Sequence, residues 1–306
     1  MDQNKQIIVL GSGKNQIKHI NLLKKNGFQV IVIDKYKKDL KQVSQHIKHS
    51  LYQQDIKKIK KKLIKLKINT IIYRSSGPTV LFAHNIENYF KIERIDKCLA
   101  KSIYSKSYFS SFLKNNNLPY IKQKTIKKFK NINLKNIKVL KPDSSILGKK
   151  DIFINNSFNY NSYLKCKNNS HNKKVILSEY VEGRDINSFF IVDKKKKIFV
   201  KANFEEVNSI SKNTIKKSKI SMPIKNIKLN VLNKINNIAL KIIKKFKKYY
   251  GAISITSKLS SNNKIFPYEI NIGLSGDNFA DKYYPNVYKK NLYKSELKIL
   301  LNKHIN

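Results

Sequence analysis

The chain has 306 residues, 41% of them hydrophobic and 10% aromatic, which suffices to bury a core over one or two domains and excludes a disordered polymer. Its formal charge is +45, yet arginine occurs only at Arg74, Arg94 and Arg184. Base readout and phosphate clamping favour the planar guanidinium fork, so a lysine excess spread over the whole chain with Asn and Ile argues against a nucleic-acid reader.

No apolar run is long enough to span a membrane. The start, "MDQNKQIIVLGSGK", has no basic and then apolar leader, and a cytoplasmic protein is expected. Cys98 and Cys166 lack the spacing of a disulfide framework or a zinc site.

"QIIVLGSG" reads as a strand ending at Gly11 and Gly13, and "NQIKHINLLKKNG" as a helix with Ile17, Ile20 and Leu23 on one face, stopped by Gly27. A second strand, "FQVIVIDK", ends at Asp34. After a cap at Asp55, "DIKKIKKKLIKLKI" predicts a basic amphipathic helix with Ile56, Ile59, Leu63 and Leu66 inward. "NTIIYRSSGP" is a third strand with its loop and "TVLFAHNIENYF" a third helix. Such alternation with short connections makes a parallel sheet wound by helices.

From about residue 96 the pattern changes. "SKSYFSSFLKNNNLPYIKQKTI" is a helix, a stop and a strand; "NIKVLKPDSSILGKKDIFI" is a strand, a small-residue loop and a strand. "KKVILSEYVEGRDINSFFIVDKKKKIFVKANFEE" holds three strands with tight connections, the last two a hairpin over "DKKKK". Residues 208–226 lack periodicity and are expected to form a loop. "NVLNKINNIALKIIKKFKKYYG" is a long helix with Leu232, Ile235, Ile238 and Ile242 inward, and "AISITSKLSSNNKIFPYEIN" a hairpin around "SSNNK". The fold class is α/β followed by α+β. His46 and His49, and the Asn-rich "NYNSYLKCKNNSHNKK", read as surface without chemistry.

Four stretches carry chemistry. In "GSGKNQ" a glycine turn opens a helix and Asp34 ends the next strand, as in a dinucleotide fold, but the third glycine position holds Gln16; a tight strand–helix turn fits better. In "LKPDSSILGKK" Lys141 ends an apolar strand where its ammonium needs an anionic partner such as phosphate, and Ser144, Ser145 and Gly148 allow close backbone approach; an ordinary exposed turn is the alternative. "LSEYVEGRDINSFF" places Glu179, Tyr180 and Val181 where backbone groups can meet a purine edge and Asp185 where an acid can take ribose hydroxyls, or it is a hairpin with charged corners. In "PYEINIGLSGDNF", Glu269 and Asn271 share a strand face about 6.5 Å apart, a pair of oxygens suited to Mg²⁺ or an ordinary polar pair on a surface strand, followed by Gly273, Gly276 and Asp277.

Taken in order, these stretches resemble the ATP-grasp superfamily over nearly the whole chain. "IIVLGSGKNQ…GFQVIVIDK…NTIIYRSSGP" is similar to its preceding Rossmann-like domain, and the boundaries then expected are 1–98 for that domain and 99–306 for the ATP-grasp domain with its antiparallel sheets, with a lid at about 120–182. The resemblance implies ATP and Mg²⁺ as cofactors. It puts Lys106 at the nucleotide, Lys141 on the phosphates under the Ser144–Gly148 loop, adenine at Glu179–Val181, ribose at Asp185, Lys201 on phosphate, and Glu269 and Asn271 on magnesium. It also implies an ATP-dependent carboxylate–amine ligase acting on small molecules through an acylphosphate, and a dimer. Arg74, at the carboxyl edge of the first sheet, is the candidate for holding a substrate carboxylate. With the sequence ending at 306, the substrate is expected on the N-terminal domain and the loops beside it.

The chain departs from the family's pattern at Ser254, where a further acidic or Gln metal ligand is expected, at Gly273, where arginine is common, and at Ile146 and Leu147 in the glycine loop. Two rivals follow: a nucleotide-binding regulator with weak or no catalysis, and a lysine-rich binder of polyanions.

Overall fold

The computed structural model describes residues 6–36, 43–74, 77–129, 138–145, 152–154, 158–211, 214–276 and 278–302. Gly148, Asp277 and the loop residues Ser75, Ser76, Ile146 and Leu147 lie outside the described residues.

Four strands, β1 (Gln6–Leu10), β2 (Gln29–Asp34), β3 (Gln45–Lys48) and β4 (Ile68–Ile72), form a parallel sheet in the order β3-β2-β1-β4. Parallel strands are covered on both faces, which is why β1 and β2 are almost wholly apolar. Ile7 and Val9 face α1 (Lys14–Lys25), whereas Ile8 and Leu10 join α3 (Thr79–Tyr89) through Val80, Phe82, Ala83 and Ile86.

Three differences appear here. β3 was not legible: its four residues alternate without an apolar run, and Ile47 alone among them is buried. The basic helix contracts to a 3₁₀ turn at Lys57–Ile59 and α2 (Lys60–Leu63), burying Ile59 and Leu63. His49 is not a surface residue: it is buried and its ring stacks on Phe82 at 4.9 Å.

Two helices, α4 (Lys97–Tyr104) and α5 (Lys106–Asn115), lead to a nine-stranded sheet. Its strands are β5 (Gln123–Ile126), β6 (Lys138–Pro142), β7 (Phe153–Ile154), β8 (Val175–Glu179), β9 (Arg184–Val192), β10 (Ile198–Ser211), β11 (Thr214–Ser221), β12 (Gly251–Leu259) and β13 (Ile265–Ile272). Their order is β13-β12-β9-β10-β11-β7-β6-β8-β5, with every pairing antiparallel. The expected hairpins β9–β10 and β12–β13 are present.

Residues 208–226 are not a simple loop. β10 runs through Ser211 and pairs with β11, so much of the stretch is strand. The segment between β8 and β9 is no hairpin either: β8 pairs with β5 and β6, and β9 with β10 and β12. The Asn-rich stretch folds as α6 (Tyr160–Asn169), opened by a capping box between Asn159 and Ser162.

α7 (Leu229–Lys245) lays Ile235, Ala239, Ile242 and Ile243 on one face of this sheet. The opposite face is covered by a π turn at Phe279–Tyr283, α8 (Tyr284–Tyr288) and α9 (Leu292–Leu301), through Phe279, Tyr284 and Leu292 against Phe189, Ile191 and Phe204. α9 also packs Leu297 and Leu300 on the first sheet beside α1. Among the described residues no helix is long and apolar enough to cross a membrane.

Where the two sheets meet, the Arg94 guanidinium is fully buried. It donates to the carbonyls of Ile71 (2.8 Å) and Tyr250 (3.2 Å) and lies 4.6 Å from the Tyr73 ring centroid. Tyr73 in turn donates to Glu87 at 2.8 Å. Burial raises the Glu87 carboxyl to about 7, against the pull of Arg94 and Tyr73.

A carboxyl with a raised folded-state pKa gives stability present at low pH and lost as pH climbs from 4.5 to about 7. Melts of the parent and of Glu87→Gln, which keeps an acceptor for Tyr73, are therefore expected to converge near pH 4.5. The parent should fall behind by about 1.4 kcal/mol per unit of pKa separation by pH 8.

Candidate active site

Along the strands of the large sheet, one face changes from apolar to polar. On β9 the face carrying Phe189 and Ile191 continues as Asn187 and Asp185; paired across it are Thr256 and Lys258 on β12 and Glu206 on β10. Glu269 on β13 lies directly opposite Thr256, and Asn271 opposite Ser254. Period-2 alternation thus gathers the polar groups at the end of the sheet that the π turn and α9 leave uncovered.

Glu269 and Asn271 share that face as expected, and the Asn271 amide donates to Glu269 Oε1 at 3.0 Å. A cleft beside them is lined by Gly77, Ser102, Tyr104, Lys106, Ser145 and Tyr268. Lys141 comes up from β6, buried, with its ammonium 6.0 Å from the Tyr268 ring centroid. Burial pushes its pKa down to about 8, and Lys106 pushes the same way, while Glu269, Asp143 and Asp185 oppose them. The fold therefore brings Lys106 of α5, Lys141 of β6, Ser145 of the loop after it, and Glu269 and Asn271 of β13 near one another.

Other predicted residues stand differently. Asp185 is buried beneath the site, ion-paired to Lys258 at 2.9 Å, accepting from Asn208 and hydrogen-bonded to Tyr268. Protein groups thus hold the carboxylate that was expected to meet a ribose. Glu179 is exposed, its N–H donating to the Lys122 carbonyl at 3.0 Å; Tyr180 and Val181 are half-buried. Lys201 does not join the site: it pairs with Phe190, exposed on the sheet face opposite Glu269. Ser144 is fully buried, whereas Ser145 reaches the cleft.

Arg74 also has another task. Its Nε donates to the Leu274 carbonyl at 2.5 Å and an Nη to that of Ser275, so it clamps the turn that follows Asn271. Gly273 has φ +79°, and a Cβ there would sit 2.7 Å from the Tyr73 carbonyl oxygen and 2.9 Å from Arg74 Cα. An arginine cannot occupy position 273 because the backbone of the first domain fills the space.

Strand register moves the other departure. The β12 residue facing Glu269 is Thr256 rather than Ser254, and its hydroxyl donates to Asn187 Oδ1 at 2.7 Å. Neither offers a carboxylate, and among the described residues no group of three or more His, Cys, Asp or Glu converges as a metal site. Glu269 and Asn271 suit a Mg²⁺ that also takes phosphate and water oxygens, not an ion caged by protein alone.

The first glycine turn is closed. Ser12 N and Oγ both donate to Asp34 at 2.7 Å, and the Gln16 side chain lies within 3.1–3.3 Å of where a Cβ would stand on Gly11 and Gly13. Asp34 holds its own loop instead of awaiting a ribose, which disfavours the dinucleotide reading.

The sequence reading missed Asp143, Thr256, Lys258 and Tyr268. For Asp143 the available cue was a lone acid directly after Lys-Pro in a lysine-rich chain.

No family model matches the sequence, and no curated protein matches it. Solved structures do. An L-amino acid ligase from Bacillus licheniformis superposes with a TM-score of 0.79 at 11% identity, covering 98% of this chain and 75% of that one. N5-carboxyaminoimidazole ribonucleotide synthetase from Thermotoga maritima gives 0.71 at 17% identity, over 99% and 77%. The biotin carboxylase domain dimer of Hydrogenobacter thermophilus 2-oxoglutarate carboxylase, with MgADP, ADP and bicarbonate, gives 0.74 at 14%, over 99% and 70%. This chain has the ATP-grasp fold. The Rossmann-like first sheet followed by antiparallel sheet, expected from the motif order, is the observed ATP-grasp architecture.

Gly273→Ala is expected to destabilise the protein by at least about 2 kcal/mol, since it combines left-handed strain with a backbone clash. A denaturant midpoint within error of the parent's would mean that the turn can leave Tyr73 and Arg74 at no cost.

Proposed function

We propose that the chain is an ATP-dependent ligase that activates a small-molecule carboxylate as an acylphosphate and joins it to an amine. The observation that carries this reading is a cleft lined by Lys106, Glu269 and Asn271, with the buried Lys141 ammonium close enough to feel the charges of Lys106 and Glu269. Anions of a polyphosphate would give the buried Lys141 ammonium a charge-assisted contact, and the carboxylate and amide oxygens would hold Mg²⁺. Bound there, Mg²⁺ would neutralise charge developing on the transferred phosphoryl group. Lys141 would orient the phosphates, and the half-buried cleft would keep water from the acylphosphate.

In this reading residues 1–98 form the preceding domain, 99–306 the ATP-grasp domain, and about 120–182 its lid. Adenine would meet Tyr180 and Val181, and Ser145 the phosphates. The neighbour crystallised with MgADP supports the choice of nucleotide and metal, and as a dimer it supports a homodimer.

A second reading, a nucleotide-binding regulator, is favoured by Thr256: the strand position facing Glu269 carries a hydroxyl already donated to Asn187. Polyanion binding by the lysine-rich surface is the third.

Thermal-shift titrations with ATP, with and without Mg²⁺, on the parent and Glu269→Gln separate these readings. The ligase reading expects Mg²⁺-dependent stabilisation of about 2.7 kcal/mol at 100 times Kd, weakened in the variant, and phosphate release with a suitable acid and amine. Binding indifferent to Mg²⁺ and to Glu269 would favour the regulator; affinity that collapses with salt and ignores nucleotide would favour the polyanion binder.

Lys141→Met is expected to weaken ATP binding roughly 10- to 100-fold by removing a charge-assisted contact. Because the ammonium is the binding form, parent affinity should hold at pH 6–7 and decline as pH rises through about 8. A flat profile to pH 10 would remove Lys141 from the phosphate site.

A further inference from the structure

Asp143, directly after the Lys141–Pro142 end of β6, is fully buried and grips two other elements. Its carboxylate accepts from Ser105 Oγ (2.8 Å) and Ser107 N (2.7 Å) at the start of α5, and from Asn172 Nδ2 (2.5 Å) in the turn after α6. Its backbone adds two more bonds: its carbonyl accepts from Lys106 N at 3.2 Å, and its N–H donates to the Lys174 carbonyl at 3.1 Å. Ser144 repeats the pattern, donating to Ser170 Oγ at 3.2 Å and accepting from His171 N at 2.7 Å.

Lys106, at the cleft, and Lys141, buried near it, therefore both sit on backbone that Asp143 ties together. Lys106 is the first residue of α5, between the two donors Ser105 and Ser107; Lys141 lies two residues before Asp143 on β6. Two like charges brought close to one another repel, and nothing in local helix or strand propensity would hold them together. A carboxylate at a helix start is also favoured by the free N–H groups and the helix dipole.

We propose that Asp143 is a positioning residue of the nucleotide site: it locks α5, β6 and the 170–174 turn to one another so that Lys106 and Lys141 grip one polyphosphate together. This rests on the nucleotide reading above. Asp143 touches no substrate; it acts through the two lysines.

The test is isothermal titration of ATP and of adenosine into the parent, Asp143→Asn and Asn172→Ala, with the ATP titrations repeated from pH 6 to 10. Asp143→Asn is expected to lower ATP affinity by about tenfold or more while adenosine affinity stays within about twofold, because only the phosphate grip is loosened. The alkaline decline in ATP affinity should also move to lower pH. Lys141 is faced by the Tyr268 ring, by Lys106 and by the carboxylates of Glu269, Asp143 and Asp185, and the variant loses one of the three that favour its charge.

Asn172→Ala leaves the Ser105 cap of α5 intact and should show a smaller loss of the same kind; it carries the comparison if Asp143→Asn does not fold. Equal losses for ATP and adenosine, or an unmoved pH limb, would make Asp143 a fold residue only and overturn the proposal. Unchanged ATP affinity in both variants would sink it while leaving the nucleotide reading standing. A parent that binds neither ligand would overturn both.

Discussion

A single buried guanidinium sets how the halves of this protein meet. Arg94 reaches from the segment after α3 to a carbonyl of β4 on one side and to the carbonyl preceding β12 on the other. The Tyr73 ring beneath it and Glu87 beyond complete a polar cluster inside an otherwise apolar core. Gly251, at φ +113°, is required beside it, since a Cβ there would lie 3.0 Å from Nη2. A buried cation is costly unless it is compensated, so the strand ends that supply the Ile71 and Tyr250 carbonyls have little freedom to move.

Consequences follow along the backbone. Tyr73, held under Arg94, leads directly to Arg74, and those two residues form the wall against which Gly273 packs. Arg74 then fixes the turn after Asn271 through two carbonyls. The first domain thus sets where the strand bearing Glu269 and Asn271 ends. An arginine at position 273 is excluded by the same contact, so the departure from the family pattern has a steric cause.

The site is where the sheet's packing stops. The face that buries Phe189, Ile191 and Phe204 under the π turn and α9 turns polar as soon as that cover ends. Much of the polar row is satisfied within the sheet: Thr256 by Asn187, Asn187 by Glu206, Asp185 by Lys258 and Asn208. Glu269, Asn271, Lys106 and Ser145 line the cleft, with Lys141 buried beside them, so charged and polar groups are concentrated there.

The sequence by itself determined the parts whose chemistry is local. Apolar runs and glycine stops made β1, α1, β2 and β4 legible; helical periodicity gave α3, α5 and α7; turn residues gave the β9–β10 and β12–β13 hairpins; and the i, i+2 spacing of Glu269 and Asn271 put them on one face. What it could not give was everything settled by partners distant in the chain. β3 and the β10–β11 ribbon carry no clear alternation, because lysine tolerates either face. Thr256 rather than Ser254 faces Glu269 because strand register, broken by an irregularity after Thr256, is fixed by pairing. Lys201 and Asp185 were assigned by motif and placed by the sheet, one on the far face, the other in an ion pair with a lysine of β12. Arg74 and Asp143 acquired their work only when backbone carbonyls and N–H groups from other elements came within reach, since a buried hydrogen bond is decided by who else is buried there.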